Sequence, residues 1–203
     1  METVEDKKIL VVGNPNYGLA QAFSETFKAD FLSRSNGFDL SQKSIQVQCA
    51  EKSLNYDVFI ICSSLYDFHQ VKILRIVYEM WKRHKHNGQI ICLGSTADTP
   101  VRGTAWIYPI EKKALKAYCR NLSLAALGGH GHNPPGIRVT YLSPGHIKTP
   151  VEDEKYPDVA KIDPKYLAQV VIWILSQPKE VNISEFALDP IQPPIKSGDE
   201  ASL

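Results

Sequence analysis

Short runs of aliphatic residues recur along the chain, separated by segments with helical spacing. Four of the runs are continuous: residues 8–12, 57–62, 89–93 and 137–142. Such runs are typical of strands that are buried on both faces of a parallel sheet. Shorter runs predict two further strands, and a weaker alternating run predicts a third: residues 29–33, 185–188 and 45–49.

Four segments between these strands have the spacing of amphipathic helices: residues 19–27, 69–83, 109–127 and 163–177. In the second segment, apolar residues recur three and four positions apart, which places them on one face of a helix. Trp81, Tyr118 and Leu122 belong to the second and third segments and fit either the core or an interface between subunits.

Strands that alternate with helices predict the α/β class, with a Rossmann-type doubly wound parallel sheet. The chain has 203 residues and contains no internal repeat or linker. We therefore predict a single domain over residues 1–190. The tail over residues 191–203 is rich in proline and polar residues, and we expect it to be poorly ordered.

Composition narrows the classes of function. The net charge of +1 offers no clustered positive charge of the kind that nucleic acids and anionic membranes attract. The charged first residues lack the apolar core of a signal peptide, and no stretch is long enough to cross a bilayer. The four cysteines have no C-x-x-C spacing, which favours reduced, buried thiols. We expect a cytoplasmic protein without a metal site.

A turn that contains glycine joins the first strand to the first helix. It includes Gly13, Asn16, Tyr17, Gly18 and Leu19. A strand, a turn and a helix in this order place backbone N–H groups and a positive helix end where a pyrophosphate binds. Many such turns contain glycine for conformational reasons alone, so the turn by itself does not decide between the two interpretations.

The second strand ends in Ser33, Arg34 and Ser35. In dinucleotide-binding folds, an acidic residue at this place binds the ribose 2′-hydroxyl, whereas an arginine accommodates a 2′-phosphate. A guanidinium with two hydroxyls and no adjacent carboxylate favours NADP(H) over NAD(H). The alternative is an ordinary exposed arginine.

Tyr108 and Lys112 lie four residues apart at the start of a predicted helix, and this spacing places them on one face. An ammonium beside a phenol lowers the phenol pKa from about 10, which suits a general acid that protonates a developing alkoxide. Ser95 follows a buried strand, and its hydroxyl is placed to approach the same site. Each feature taken alone is common by chance.

In their joint order and spacing, these segments resemble the short-chain dehydrogenase/reductase family, over roughly residues 8–190. The resemblance implies that Tyr108 is the general acid/base. It further implies that Ser95 binds the substrate carbonyl. Lys112 would hold the nicotinamide ribose and lower the pKa of the tyrosine.

The same resemblance adds residues to the cofactor site. Asp39 and Leu40 look like an acidic–aliphatic pair that contacts adenine, and residues 143–150 look like the loop on the nicotinamide side. The other residues that it implies are Cys62, Ser63, Ser64, Pro144, Gly145, Ile147 and Thr149.

The chain departs from the family pattern in three places. Its glycine turn is one residue longer, with Ala20 in place of the third glycine. Only four residues separate Arg34 from Asp39, too few for the helix usually found there. No residue matches the catalytic asparagine of the family, and the nearest candidates are His69 and Gln70.

The sequence therefore predicts an NADP(H)-dependent oxidoreductase that interconverts a small-molecule carbonyl and an alcohol by hydride transfer. The departures leave two alternatives: a dinucleotide-binding sensor or scaffold with weak catalysis, and an α/β interaction module without a cofactor. The resemblance also implies a homodimer or homotetramer formed through the helices at residues 69–83 and 109–127. No nucleic acid or membrane is expected among the partners.

Overall fold

The computed structural model describes residues 4–63, 65–99, 103–128 and 136–192. Within them, six strands form one sheet: β1 (Ile9–Val12), β2 (Asp30–Leu32), β3 (Val58–Ile61), β4 (Gly88–Leu93), β5 (Ile137–Pro144) and β6 (Glu185–Leu188). All neighbouring strands pair in parallel, in the order β2-β1-β3-β4-β5-β6. The predicted doubly wound parallel sheet is confirmed.

In the part of the chain that the structure describes, six α-helices connect the strands: α1 (Gly18–Thr26), α2 (Lys43–Ser53), α3 (His69–Arg83), α4 (Tyr108–Ala125), α5 (Pro150–Lys155) and α6 (Pro164–Leu175). The predicted helices at 69–83 and 109–127 correspond to α3 and α4. Two short 3-10 turns, Arg34–Asn36 and Thr96–Asp98, follow β2 and β4. None of the helices in the described residues is long and apolar enough to span a membrane.

The sheet separates two buried layers. Leu10 and Val12 of β1 face the layer that contains α2, α3 and α4, whereas Ile9 and Val11 face the layer that contains α1 and α6. Because side chains alternate along a strand, burial on both faces requires apolar residues at every position. The continuous aliphatic runs in the sequence have this cause.

The strand predicted at residues 45–49 is wrong, because these residues lie inside α2. The buried positions of α2 are Gln46, Cys49, Ala50 and Ser53, which have the three- and four-residue spacing of a helix. Two of the four are polar, and they are buried because their side chains bond to Leu40 and Trp81. Polar residues on the buried face therefore concealed the helical period.

Trp81 and Leu122 belong to the core of the chain itself. Trp81 is fully buried and donates a hydrogen bond to Ser53 Oγ over 2.8 Å. Leu122 is buried as well, and Tyr118 packs half-buried against the same cluster. The burial of these side chains therefore requires no partner subunit. Self-association remains a prediction.

The strand order reverses direction between β1 and β3, since the chain moves from β1 to the edge strand β2 and returns on the other side. In open α/β sheets, ligands bind at the carboxyl ends of the strands that flank such a reversal. The fold therefore points to one edge of the sheet. Of the tail predicted to be disordered, residues 193–203 lie outside the described residues, as does Ser64.

Candidate functional site

A cavity of about 500 Å³ opens at the carboxyl ends of β1, β2 and β3. Most of the residues predicted to bind a cofactor line it: Gly13, Tyr17, Gly18, Leu19, Ser33, Arg34, Ser35, Asp39, Leu40, Cys62, Ser63 and Thr149. The sequence missed six of the lining residues, most of them apolar: Val12, Asn14, Ala20, Leu32, Phe38 and Leu65. Apolar residues at strand ends carry no signal that separates a cavity wall from core.

The glycine turn brings the backbone close to this cavity. A Cβ on Gly13 would lie 2.7 Å from Ala20 Cβ, so glycine is required for β1 and α1 to approach each other. Gly18 begins α1 with a φ of +59°, which glycine adopts without strain. The N-cap residue Tyr17 provides no side-chain hydrogen bond. The helix therefore presents the positive end of its dipole at the cavity.

The far side of the cavity holds the residues after β2. Ser33 Oγ and Ser35 Oγ lie 2.7 Å apart, and Arg34 between them is exposed. The pKa of Asp39 is lowered, chiefly by hydrogen bonds from the Ser41 hydroxyl and N–H, with a smaller contribution from the charge of Arg34. Arg34 and Asp39 were both predicted from sequence to bind the cofactor, and both line this cavity.

Thr149, the N-cap residue of α5 in the segment after β5, also lines the cavity. Its hydroxyl caps α5 by accepting a hydrogen bond from Glu152 N–H. Its methyl group faces Gly18, since a Cβ on that glycine would lie 3.7 Å from Thr149 Cγ2. Across from it, burial raises the pKa of the Cys62 thiol to about 12, so the thiol stays protonated at neutral pH.

Four predicted cofactor residues do not line this cavity. Asn16 donates its backbone N–H to Asn14 Oδ1 within the turn. Ile147 bridges to Ile162 and packs against the core. Gly145 allows the segment after β6 to approach, because a Cβ there would lie 2.7 Å from Asp189 Oδ1. Pro144 ends β5. Their assignment to a cofactor remains a prediction.

Tyr108 and Lys112 lie together in the first turns of α4. Lys112 Nζ is 5.2 Å from the centre of the Tyr108 ring. Trp106 stacks on the same ring, with the two centres 4.7 Å apart and the planes inclined by 15°. Trp106 is 55% exposed and Tyr108 is half-buried, so this stacked pair lies at the surface of the protein.

The Lys112 ammonium is buried, and the side chain is only 3% exposed. It donates hydrogen bonds to Gln70 Oε1 over 2.6 Å and to the Leu93 carbonyl over 3.2 Å. Burial lowers the pKa of Lys112 from 10.5 to about 8, against the opposing influence of Cys92, Glu111 and Cys62. The residue is therefore mostly charged at neutral pH and loses its proton just above it.

We expect the lowered pKa of Lys112 to make the stability of the protein depend on pH. Between pH 8 and 10.5, the unfolded chain retains a proton that the folded chain has released, so the free energy of unfolding rises with pH. The rise is roughly 3 kcal/mol, since one pKa unit corresponds to about 1.4 kcal/mol. Urea unfolding of wild type and Lys112→Met at both pH values isolates this contribution. A difference between the two proteins that does not change with pH would contradict it.

Ser95 is joined to Lys112 through Tyr141. The Ser95 N–H donates to the Tyr141 hydroxyl, which in turn donates to the Lys112 carbonyl, each over 3.3 Å. Gly94 leaves space for the Tyr141 ring, since a Cβ at this position would overlap it. The Ser95 hydroxyl accepts a hydrogen bond from Ala97 N–H. The three predicted catalytic residues thus belong to one connected cluster.

Sequence reasoning missed Tyr141 because an aromatic residue in a buried strand is indistinguishable from core packing. It missed Asp98 because an acidic residue within a short turn carries no signal that it is buried. The Asp98 carboxylate is buried and accepts hydrogen bonds from Ser143 and Thr99. Lys116 of α4 lies 3.5 Å from it. This carboxylate links the Ser95 turn to β5 and α4.

Comparison with solved structures places this arrangement in a known fold. A 3-oxoacyl (acyl-carrier-protein) reductase from Agrobacterium tumefaciens with NADP bound superposes with a TM-score of 0.71, at 13% identity, covering 93% of this chain and 94% of that one. A short chain dehydrogenase/reductase family protein gives 0.67 at 18% identity, with 93% and 97% covered. The chain has the short-chain dehydrogenase/reductase fold. The resemblance predicted from sequence is confirmed at the level of the fold.

A serine dehydrogenase complexed with NADP+ shares this fold, with a TM-score of 0.68 and 16% identity over 89% of this chain and 94% of that one. Among curated proteins, an uncharacterized oxidoreductase from Staphylococcus saprophyticus is 29% identical over 109 residues. One from Staphylococcus aureus is 29% identical over 106 residues. These matches cover 53% and 52% of this chain but only 44% and 43% of the relatives. No protein-family model matches the chain.

Proposed function

We propose that this protein is an NADP(H)-dependent oxidoreductase that interconverts a carbonyl and an alcohol on a small molecule. One observation carries the proposal: the glycine turn, Arg34 and Thr149 line the same cavity, which lies where the strand order reverses between β1 and β3. The connected cluster of the buried Lys112 with the half-buried Ser95 and Tyr108 provides groups suited to proton transfer. Structures with the same fold that contain NADP or NADP+ support this cofactor class.

The residues present fit a dinucleotide phosphate. Gly13 and Gly18 leave the backbone open beside α1, where N–H groups favour a pyrophosphate. Arg34 with Ser33 and Ser35 would hold the 2′-phosphate, since a guanidinium forms charge-assisted hydrogen bonds with phosphate oxygens. Asp39 and Leu40 would border the adenine. Asn16, Pro144, Gly145, Ile147 and Ser64 are further candidates for cofactor contacts.

The nicotinamide, when bound, supplies or accepts the hydride. In carbonyl reduction, Tyr108 would give its phenol proton to the carbonyl oxygen while Ser95 donates a hydrogen bond to that oxygen. The charged Lys112 would stabilise the resulting phenolate, because an opposite charge lowers the pKa of a phenol. In alcohol oxidation, the phenolate would remove the hydroxyl proton instead.

Two observations at the site favour a second candidate function, that of a dinucleotide-binding sensor or scaffold. The Ser95 hydroxyl already accepts a hydrogen bond from Ala97 within its own turn, and neither Ser95 nor Tyr108 lines the described cavity. A protein of this kind would bind NADPH and show no turnover. Turnover therefore separates the two candidates, and binding separates both from an interaction module.

We expect Arg34→Ala to weaken NADPH binding and to leave NADH binding nearly unchanged. Losing a charge-assisted hydrogen bond costs roughly 1–3 kcal/mol, and NADH lacks the 2′-phosphate. The measurement is a titration of purified protein with each nucleotide, followed by nicotinamide fluorescence. Arg75→Ala is the matched control, since Arg75 is also an exposed arginine but lies on α3 outside this cavity.

Equal weakening of NADPH binding by both arginine variants would point to general electrostatic attraction and would contradict the proposed role of Arg34. Binding of neither nucleotide to the wild-type protein would overturn the proposed oxidoreductase function.

A further inference from the structure

Among the described residues, one side chain from another helix, that of Gln70, accepts a hydrogen bond from the Lys112 ammonium. Gln70 lies in the first turn of α3 and is 4% exposed. Its amide oxygen accepts from Lys112 Nζ over 2.6 Å, and its amide nitrogen donates to the Leu93 carbonyl over 3.0 Å. Lys112 Nζ also donates to that carbonyl over 3.2 Å. The three groups form a closed triangle of hydrogen bonds.

We propose that Gln70 is the positioning residue that orients Lys112 and keeps its ammonium charged beside Tyr108. This inference rests on the proposed oxidoreductase function. The sequence left His69 and Gln70 as candidates at the start of α3, and the structure separates them. His69 Nδ1 lies 3.1 Å from Gln46 Nε2 of α2 and takes no part in the triangle.

A glutamine suits this position for a physical reason. A buried ammonium requires acceptors, because the desolvated charge is costly without hydrogen bonds. Gln70 supplies one acceptor and also fixes the second, since its own N–H group binds the Leu93 carbonyl. The amide orientation is thereby determined, because the opposite orientation would place its nitrogen against the ammonium. Strand β4, helix α3 and helix α4 thus define where the lysine points.

The remaining groups around the ammonium are unsuited to that role. Cys62 and Cys92 carry thiols that lie close enough to influence the pKa of Lys112, but thiols are weak hydrogen-bond acceptors. Glu111 is adjacent in sequence, yet its carboxylate accepts the Phe68 N–H over 3.0 Å. The only carboxamide bonded to Lys112 in the described residues is that of Gln70.

We expect Gln70→Met to lower the pKa of Lys112 by roughly one to two units, because a hydrogen bond that stabilises the charged form is lost. The measurement is an NMR titration of the Cε signal in protein with 13C-labelled lysine, with the signal assigned by its absence in Lys112→Met. Gln89→Met is the matched control. Gln89 is a buried glutamine at the start of β4, bonded to Thr140 Oγ1 and remote from the ammonium. An unchanged pKa of Lys112 in Gln70→Met would overturn the proposal.

The pH dependence of turnover provides a second readout. We expect the alkaline limb of kcat for carbonyl reduction to move to lower pH by the same one to two units in Gln70→Met, with KM for NADPH nearly unchanged. A purely structural role would lower kcat equally at every pH and would contradict the proposal. A shifted lysine pKa in a protein that turns over no carbonyl would support the bond from Gln70 but overturn the proposed function.

The double variant Gln70→Met/Lys112→Met covers the case in which Gln70→Met does not fold. Removing both partners leaves no unpaired buried ammonium, so the double variant should be more stable than Gln70→Met alone. A double variant as unstable as the single one would show that Gln70 acts through something other than Lys112, and the proposal would fail.

Discussion

Tyr108→Phe is expected to lower kcat for carbonyl reduction by about 10²–10⁴, the range typical of losing a general acid. The change removes only the phenol oxygen, and the ring keeps its stack on Trp106. The affinity for NADPH should therefore change by a factor of about two at most, because a substitution that leaves the packing of a partly exposed ring intact has only a small energetic effect. Steady-state turnover over a panel of aldehydes and ketones, together with nicotinamide fluorescence, measures both quantities.

Tyr118→Phe is the matched control for this experiment. Tyr118 lies on the same helix, ten residues further along the chain, and packs against the core away from Lys112. Its variant should retain wild-type turnover. Tyr108→Phe with undiminished turnover would show that another group provides the proton. Wild-type protein that binds NADPH but reduces nothing on the panel would favour the sensor or scaffold.

Gly94→Ala is expected to destabilise the fold by about 3 kcal/mol or more, at the upper end of the range for overpacking a core. The new methyl group would overlap the Tyr141 ring, which is buried beneath the turn. Displacing that ring also breaks the hydrogen bonds that join Ser95 to the Lys112 backbone. Urea unfolding gives the loss of stability, and turnover per folded molecule gives the effect on the site.

Gly103→Ala provides the comparison, because a Cβ there meets no atom within 4 Å. Its effect on the free energy of unfolding should lie within about 0.5 kcal/mol, as for most surface substitutions. Equal stability of the two alanine variants would mean that Tyr141 does not pack against Gly94. Tyr141→Phe then separates the hydroxyl from the ring, since it removes the hydrogen bonds and keeps the packing.

The hydrophobic pattern predicted most of this fold, because the strands of a parallel sheet covered on both sides are apolar at consecutive positions. Every residue of β1 and β3 is buried, so the strands read as continuous aliphatic runs. Helix α3 was predicted with the bounds that it has, since its apolar positions follow the helical period. Helix α2 was not, because half of its buried positions are polar and gain their burial from long-range hydrogen bonds.

The candidate site divides in the same way. The glycine turn, Arg34 and the pair of Tyr108 and Lys112 were predictable, because their chemistry shows in local sequence order. The influence of the Arg34 charge on Asp39 was not, since it depends on how the short connection after β2 folds back.

The sequence by itself determined the class of fold, the segments that contribute to the site and the residue types available for chemistry. Local spacing and residue type are sufficient for these, because strands, turns and helix faces are short-range features. Only the tertiary structure decided that Gln70 rather than His69 holds Lys112, and that Tyr141 joins Lys112 to Ser95. These bonds connect residues 42, 29 and 46 positions apart in the chain, and such pairs meet only when the sheet and its helices have packed.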